Sequence, residues 1–174
     1  MKFRPIHIVL AIFFLLTLTS TQCEREEPIQ LPPETQTGAN TFGCYINGEL
    51  FVARFGSAPL KQRFLTARYT QCASTNDYVV DIQAHGKRGW GSLSVSNPEE
   101  GEISTLSRAF FFYDGVEYYV QNAGTIFFTR LDTVNRILSG TFAVDLFCSE
   151  GSILQIIEGR FDIRMREEDI KIIE

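Results

Sequence analysis

The chain has 174 residues, of which 16 are Lys or Arg and 21 are Asp or Glu, so its formal net charge at pH 7 is −5. This acidic balance argues against a basic nucleic-acid-binding surface and against adhesion to anionic lipid by charge alone. Hydrophobic residues make up 44% of the chain, which is enough for one ordinary domain with a normal core.

Residues 1–22 have the layout of an export signal. A basic start precedes an uncharged apolar run over residues 8–18, and small or polar residues then lead to Cys23. As a helix this run would rise only about 16 Å, well short of a bilayer core, which disfavours an uncleaved transmembrane anchor. An ordinary secretory signal, with the small residues Thr19 and Thr21 flanking the cut, stays open as an alternative to lipidation.

A resemblance indicates what happens at Cys23. Residues 1–23 resemble a bacterial lipoprotein signal, in which the residue after the cut is a cysteine that becomes lipidated. The segment differs from the usual pattern at Gln22 and Ser20. The resemblance implies removal of residues 1–22 and a lipid anchor that holds the rest of the chain to a membrane.

The acidic run after this cysteine allows two interpretations. Glu24, Glu26 and Glu27 resemble the signal that directs Bacteroidota lipoproteins to the outer face of the outer membrane. The other interpretation is a solvated charge run at the start of a linker. The resemblance implies an exported, lipid-anchored protein of the outer membrane, and the first interpretation adds exposure at the cell surface.

Residues 23–40 are predicted to be a tether. The part from Pro28 to Asn40 has three prolines, no aromatic residue and no hydrophobic periodicity. If this segment is largely extended, it would hold the following domain roughly 50 Å from a membrane surface.

Residues 41–165 are predicted to be one β-domain. Short β-branched and aromatic runs alternate with turn residues, and no helical stripe of useful length interrupts them. Asn47-Gly48 and Asp114-Gly115 each predict a hairpin, because a type I′ turn favours these dipeptides. About ten strands joined mainly by short turns predict an antiparallel all-β sandwich or barrel. Residues 97–107 are predicted to be a loop, and residues 166–174 a charged tail that frays.

Three segments of this domain resemble a known group of proteins. They begin at Asn40 (NTFGCYINGE), Leu131 (LDTVNRILSGTF) and Glu158 (EGRFD). They resemble uncharacterised Bacteroidota lipoproteins built of a single domain of unknown function, and the likeness covers most of residues 30–165. The resemblance implies an envelope location and a β-rich fold, and it implies no activity and no site residue.

Three cysteines remain in the domain if Cys23 is lipidated: Cys44, Cys72 and Cys148. In an oxidising compartment at most one disulfide can form among them, and the sequence does not choose the pair. There is no Cys-x-x-Cys pair, and His85 is the one histidine after the signal, so a Cys/His zinc site lacks ligands. The sequence therefore predicts no metal site and no cofactor.

Candidate catalytic groups are few, and we assign no catalytic residue. His85 is the imidazole that a Ser-His or Cys-His nucleophile would need, but no Gly-x-Ser-x-Gly motif accompanies it, which favours an ordinary strand-end histidine. Acidic residues of one loop could ligate calcium, with a solvated loop as the alternative: Glu99, Glu100 and Glu102. Aspartates on separate strands could include a glycosidase-type pair if the fold brings two together: Asp81, Asp145 and Asp162.

The aromatic residues are the most suggestive feature of the domain. The run Phe110–Phe112 is favoured as core, because aromatic residues suit strands and bury a large area. Trp90, Tyr113 and Tyr118 have polar tips that suit the rim of a pocket or of a carbohydrate-stacking face. We therefore single out these three as a candidate ligand rim.

Together these patterns favour a non-enzymatic, membrane-tethered β-domain that binds a ligand or a protein partner at the cell envelope. A glycan, a small lipophile and another envelope protein all stay open as the occupant. Two alternatives remain: an envelope hydrolase that acts on glycan or peptide, and a purely structural lipoprotein. The expected partners are the membrane, through the lipid anchor, and no nucleic acid.

Overall fold

A computed structural model describes residues 29–53, 64–121 and 124–174. Within those ranges the regular structure is β-strand apart from a 3-10 helix at Glu167–Asp169, so the all-β prediction is confirmed. No helix in the described part of the chain is long and apolar enough to cross a membrane. The strands, in chain order, are β1 (Thr41–Ile46), β2 (Glu49–Val52), β3 (Leu65–Cys72), β4 (Tyr78–Gly86), β5 (Gly89–Ser96), β6 (Ile103–Thr105), β7 (Arg108–Tyr113), β8 (Val116–Val120), β9 (Thr125–Asp132), β10 (Ile137–Phe147), β11 (Ile153–Arg164) and β12 (Ile170–Ile173).

The strands form one sheet that is divided into two layers at β10. Neighbouring strands follow the order β12-β3-β4-β5-β7-β8-β10-β11-β1-β2, and β9 with β6 branches from β10. The branch arises because one edge of β10 changes partner: residues 137–143 pair with β9, and residues 146–147 pair with β8. The other edge of β10 pairs with β11 over most of its length. Strand pairings are antiparallel except between β12 and β3.

The two layers enclose one hydrophobic core. Phe51 of β2 lies 6.1 Å from Phe111 of β7 between ring centroids, although these strands are far apart in the sheet order. The sheet must therefore fold over on itself, and the described strands do not close into a barrel. Each fully buried aliphatic or aromatic side chain stabilises this arrangement by about 2 kcal/mol. The largest of them come from both layers: Phe42, Phe111, Phe128, Ile82, Leu93, Leu138 and Ile156.

Both predicted hairpins are confirmed. Asn47 and Gly48 have φ angles of 49° and 81°, and Asp114 and Gly115 have φ angles of 49° and 86°. The residues that flank each turn pair directly across it. Two successive positive φ angles are what a type I′ turn requires, and Asn, Asp and Gly tolerate them better than other residues.

Residues 31–40, which we call the strap, pack against β1 and β11. Pro32 is buried over Gly43, where an added Cβ would lie only 2.5 Å from the Cδ of Pro32. Arg160 contacts the strap twice: its Nε lies 3.3 Å from Oε1 of Glu34, and its Nη1 donates to the Pro32 carbonyl at 3.4 Å. The prediction of a free tether is therefore wrong for this part of residues 23–40.

A buried carboxylate holds the strap in place. Asp162 of β11 is only 1% exposed. Five hydrogen bonds reach its two oxygens from the strap: from the Thr35 hydroxyl at 2.6 Å, the Thr37 amide and hydroxyl at 3.1 and 3.2 Å, the Gly38 amide at 2.8 Å and the Ala39 amide at 3.1 Å. Ser139 of β10 donates one more at 2.7 Å. The strap thus takes its shape from a side chain that is distant in sequence.

These donors decide the charge state of Asp162. Burial by itself would raise the pKa of this carboxyl. Hydrogen bonds from Thr35, Ser139 and the amides of Ala39 and Gly38 act in the opposite direction, and together they hold the pKa well below its ordinary value of 3.8. Asp162 is therefore ionised at neutral pH.

The predictions for the C-terminal tail and for the loop at residues 97–107 are also wrong. The tail contains β12, whose Ile170 lies opposite Tyr69 of β3, and Asp169 just before it is buried. The loop contains β6, which pairs with β9. The charges and turn residues of both segments predict irregular structure. Each segment nevertheless forms a strand, because it pairs with a strand from another part of the chain.

We expect Asp162→Asn to lower the free energy of unfolding by about 3 kcal/mol, because an amide removes acceptors from several buried donors and adds an NH₂ group among them. Urea denaturation of the purified chain measures this. Asp145→Asn, an exposed change on β10, is the matched control and should have little effect. Equal stability of Asp162→Asn and the native chain would show that the strap does not depend on this carboxylate.

The stability should also depend on pH in a defined way. Because the pKa of Asp162 is lowered in the folded state, its contribution is fully present above the ordinary value of 3.8 and is lost as the pH falls through the folded value. The urea midpoint of the native chain should therefore fall more steeply below pH 3.8 than that of Asp162→Asn. Parallel curves for the two proteins would contradict this assignment.

Candidate ligand-binding face

The outer surface of β4, β5, β7 and β8 carries a row of rings. Successive side chains of a strand point to opposite faces, so the buried residues of these strands face the core and their neighbours face outward. His85, Trp90, Phe110 and Tyr119 occupy outward positions, one on each strand. We call these four residues the aromatic stripe.

The rings of the aromatic stripe are in contact with one another. The ring centroids of His85 and Trp90 are 5.7 Å apart with nearly parallel planes at 16°. Phe110 lies 4.8 Å from Trp90 and 5.1 Å from Tyr119, with tilted planes. These distances match the spacing of adjacent strands, so the stripe crosses three strand spacings, about 14 Å. Trp90 is 38% exposed and Tyr119 is 49% exposed, so the row is open to solvent.

The four rings of the stripe carry no formal charge at neutral pH. Partial burial lowers the pKa of His85 below its ordinary value of 6.5, so its imidazole is neutral at pH 7. Tyr119 donates a hydrogen bond of 2.6 Å to Glu117, and that bond raises the pKa of the phenol. Glu117 thus brings a carboxylate to one end of the row, while Trp90 and Phe110 present only apolar surface and the indole N–H.

Polar side chains border the stripe on the same face. Ser92 lies opposite both Gln83 of β4 and Phe110 of β7 in the strand register. Neither the Ser92 hydroxyl nor the Gln83 amide bonds to another side chain or backbone group in the described ranges. Farther along, Ser94 donates to Asp81 at 2.5 Å. The face therefore combines flat apolar rings with hydrogen-bonding groups that remain available.

The structure divides the predicted ligand rim between two places. Trp90 belongs to the aromatic stripe, whereas Tyr113 and Tyr118 point to the opposite side of the sheet, where they line a cleft of about 210 Å³. Arg88 occupies that cleft, with its guanidinium 4.8 Å from the centroid of the Tyr113 ring and in an ion pair with Asp114. Ligand pockets usually measure roughly 300 Å³ or more, so this cleft is small. The rim prediction is wrong in treating the three residues as one site.

The predicted acidic and catalytic candidates do not converge. His85 stacks on Trp90, Asp81 accepts from Ser94, and Asp162 is enclosed by the strap. Ser139 of β10 bonds to Asp162, and Asp145 lies six residues farther along the same strand. The carboxylates of Asp145 and Asp162 are therefore about 20 Å apart along the strands.

The acidic loop does not form a metal site either. Glu100 accepts a hydrogen bond of 2.8 Å from the amide of Leu131. Glu99 and Glu102 are exposed. No group of three or more His, Cys, Asp or Glu residues in the described part of the chain is placed to hold a metal ion.

The cysteines occupy different environments. Cys44, Cys72 and Cys148 are all free thiols, so the disulfide that the sequence allows is not formed in this structure. Burial raises the pKa of Cys44 to about 12. Hydrogen bonds from Ser74 and Thr75 lower the pKa of Cys72 to about 7. Cys23 and the acidic run that follows it lie outside the described residues.

Sequence reasoning predicts one member of the aromatic stripe, Trp90, as a candidate ligand residue. The outward orientation of Trp90 can be predicted, because β5 alternates between apolar and serine positions and Trp90 shares the serine face. The prediction of Phe110–Phe112 as core is wrong for Phe110, because a run of three phenylalanines does not show which face each one occupies. Tyr119 follows Tyr118 and has the same ambiguity. The Asp114-Gly115 turn sets the register that pairs Phe110 with Tyr119, but it does not show which face of the hairpin is buried.

Comparison with known proteins found no matching family model, no matching curated protein and no matching solved structure. The resemblance to single-domain Bacteroidota lipoproteins stays a prediction.

We expect iodoacetamide to alkylate Cys72 much faster than Cys44 in the folded protein, because only the thiolate reacts and the two pKa values differ widely. The rate at Cys72 should rise between pH 6 and pH 8, and peptide mass mapping assigns each product. In Cys72→Ser the product mapped to this position should be absent, and the slow rate at Cys44 should not change. Modification of Cys44 and Cys72 at equal rates without denaturant would contradict the burial of Cys44 and the hydrogen bonding of Cys72.

Proposed function

We propose that the chain is a lipid-anchored protein of the cell envelope whose β-domain binds a glycan on the aromatic stripe without transforming it. The observation that carries the proposal is the continuous, partly exposed row of four rings on four neighbouring strands. Such a row leaves apolar surface in water, and a ligand that covers it gains the corresponding free energy.

The chemistry of the stripe suits a sugar. A sugar ring has C–H groups on its faces, which pack on aromatic rings, and hydroxyls at its edge, which need hydrogen-bond partners. Gln83 and Ser92 stand beside the rings with donors and acceptors available. Because His85 is neutral, the stripe does not require a charged ligand. Its length of about 14 Å suits a short oligosaccharide or part of a longer chain.

Two other occupants receive less support. Single-stranded nucleic acid also stacks on aromatic rows, but it needs cations that follow its backbone, and here Glu117 ends the row on a chain of net charge −5. A small lipophile needs a pocket that encloses most of its surface, and the stripe lies on an open face. A glycan needs neither feature.

The anchor in this proposal rests on the resemblance of Cys23 and its preceding residues to a lipoprotein signal. If Cys23 carries lipid, residues 23–30 separate it from the strap. That segment spans about 29 Å at full extension, well below the roughly 50 Å of a free tether. The strap would therefore keep the domain near the membrane surface.

Trp90→Ala should weaken binding to a retaining polysaccharide roughly tenfold, because the loss of one stacked ring costs about 1.4 kcal/mol. Affinity electrophoresis in gels that contain soluble envelope or plant polysaccharides measures this. Ile103→Ala removes a side chain that is 75% exposed on β6, away from the stripe, and is the matched control. The proposal fails if no polysaccharide retards the native chain, or if Trp90→Ala is retarded equally.

Cys23→Ala should release the protein from the membrane fraction, because the lipid is attached through that sulfur. Fractionation of cells that express the full chain, followed by detection of the protein in each fraction, measures this. Cys72→Ala is the control, since it removes a different thiol and should leave the protein in the membrane. Continued membrane association of Cys23→Ala would contradict the anchor.

A further inference from the structure

A second cleft opens at the other edge of the molecule, between the start of β3 and the end of β11. Its volume is about 420 Å³, within the range of small-molecule sites. It exists because β12 pairs only with residues 69–72 of β3, so residues 65–67 have no strand on that side in the described part of the chain. The cleft is independent of the aromatic stripe.

The cleft combines an apolar floor with a basic rim. Phe64 and Leu65 are partly exposed and contribute apolar surface, whereas Met165 is only 2% exposed. Arg136, Arg164 and Arg166 also line it, although the chain as a whole is acidic. An apolar floor and several guanidiniums in one cavity suit a molecule with an anionic group and an apolar body.

The three guanidiniums differ in what already binds them. Arg166 lies 3.5 Å from Glu168, which partly neutralises it. Arg164 donates to the Thr37 carbonyl of the strap at 2.8 Å and has no carboxylate partner among the described residues. The Arg136 side chain makes no hydrogen bond or ion pair with any described residue. Two of the three charges are therefore not neutralised within the described structure.

Two carboxylates share the lining and limit the charge of the cleft. Asp169 is buried and accepts a hydrogen bond of 3.3 Å from the Arg166 amide, so it is engaged in holding the 3-10 helix. Glu167 is exposed at the rim. Arg136 and Arg164 remain the groups best placed to meet an incoming anion.

Arg136 is held in a backbone conformation that L side chains rarely adopt. Its φ is 61°, at the end of the β9–β10 turn, where Gly or Asn would fit without strain. Its carbonyl accepts from the Met165 amide at 2.8 Å, which fixes the residue beside the cleft. No hydrogen bond or ion pair of the Arg136 side chain within the described structure compensates for this conformation, and a bound anion would supply one.

We propose that this cleft binds a small amphipathic anion, whose carboxylate, sulfate or phosphate group is held by Arg136 and Arg164 and whose apolar body lies over Phe64 and Leu65. The strap contributes through the Thr37 carbonyl, which orients Arg164. Asp162 thus reaches the cleft indirectly, because it holds the amide and hydroxyl of the same Thr37.

Calorimetric titration of the purified full chain tests this, with octanoate as the probe, inorganic phosphate as an anion without an apolar body, and octanamide as a neutral analogue. Octanoate should bind saturably and more tightly than either of the others. Arg136→Asn should weaken octanoate binding roughly tenfold. Because Asn tolerates the positive φ, the melting temperature of this variant should equal or exceed that of the native chain, so lost binding would not reflect lost folding.

The matched control is Arg68→Asn, which removes an exposed arginine from β3 and should leave octanoate affinity unchanged. Trp90→Ala should also leave it unchanged, which separates this cleft from the glycan site. The proposal is overturned if octanoate does not bind saturably, if octanamide binds as tightly as octanoate, or if Arg136→Asn keeps the native affinity.

Discussion

Asp162 joins parts of the chain that sequence separates widely. Its carboxylate is buried, and its donors in the strap lie 123 to 127 residues earlier. An ionised group without partners would be costly to bury, so the strap and Asp162 depend on each other. Through Ser139 the same carboxylate connects to β10, the strand that belongs to both layers. Through Thr37 it reaches Arg164 and the basic cleft. The hydrogen bonds of this one carboxylate therefore hold the strap against β10 and β11, and through Thr37 they help to orient one arginine of the cleft.

The change of partner along β10 determines where the two candidate sites lie. By pairing with β9 over one part and with β8 near its end, β10 folds the sheet so that each layer has an inner and an outer face. The layer from β3 to β8 presents the aromatic stripe outward. At the far edge of that layer, β3 extends beyond its partner β12 and leaves the cleft open. The aromatic stripe follows from strand order and register. The cleft follows from the strand order too, but Arg136 comes from the β9–β10 turn and Arg166 from the segment after β11.

The parts of the fold that could be predicted are those with local causes. Asn47-Gly48 and Asp114-Gly115 specify their own backbone, and the alternation in β4 and β5 follows from one buried face. The strap lacks any such signal, since its order comes from hydrogen bonds to a distant carboxylate. The parallel pairing of β12 with β3 is likewise invisible in a charged C-terminal segment. At the candidate site, the outward orientation of Trp90 could be predicted from the alternation in β5. Its separation from Tyr113 could not, because the sequence does not show which face of the sheet Tyr113 occupies.

The fluorescence of Trp90 tests the central claim most directly, because it is the single tryptophan of the chain and it lies within the aromatic stripe. The measurement is the emission spectrum of the native protein during titration with a polysaccharide that retards it in affinity gels. A sugar that covers the indole should shift the emission to shorter wavelength, and the shift should saturate with the binding curve. Binding without any change in Trp90 emission would place the glycan elsewhere on the molecule and contradict the assignment of this face.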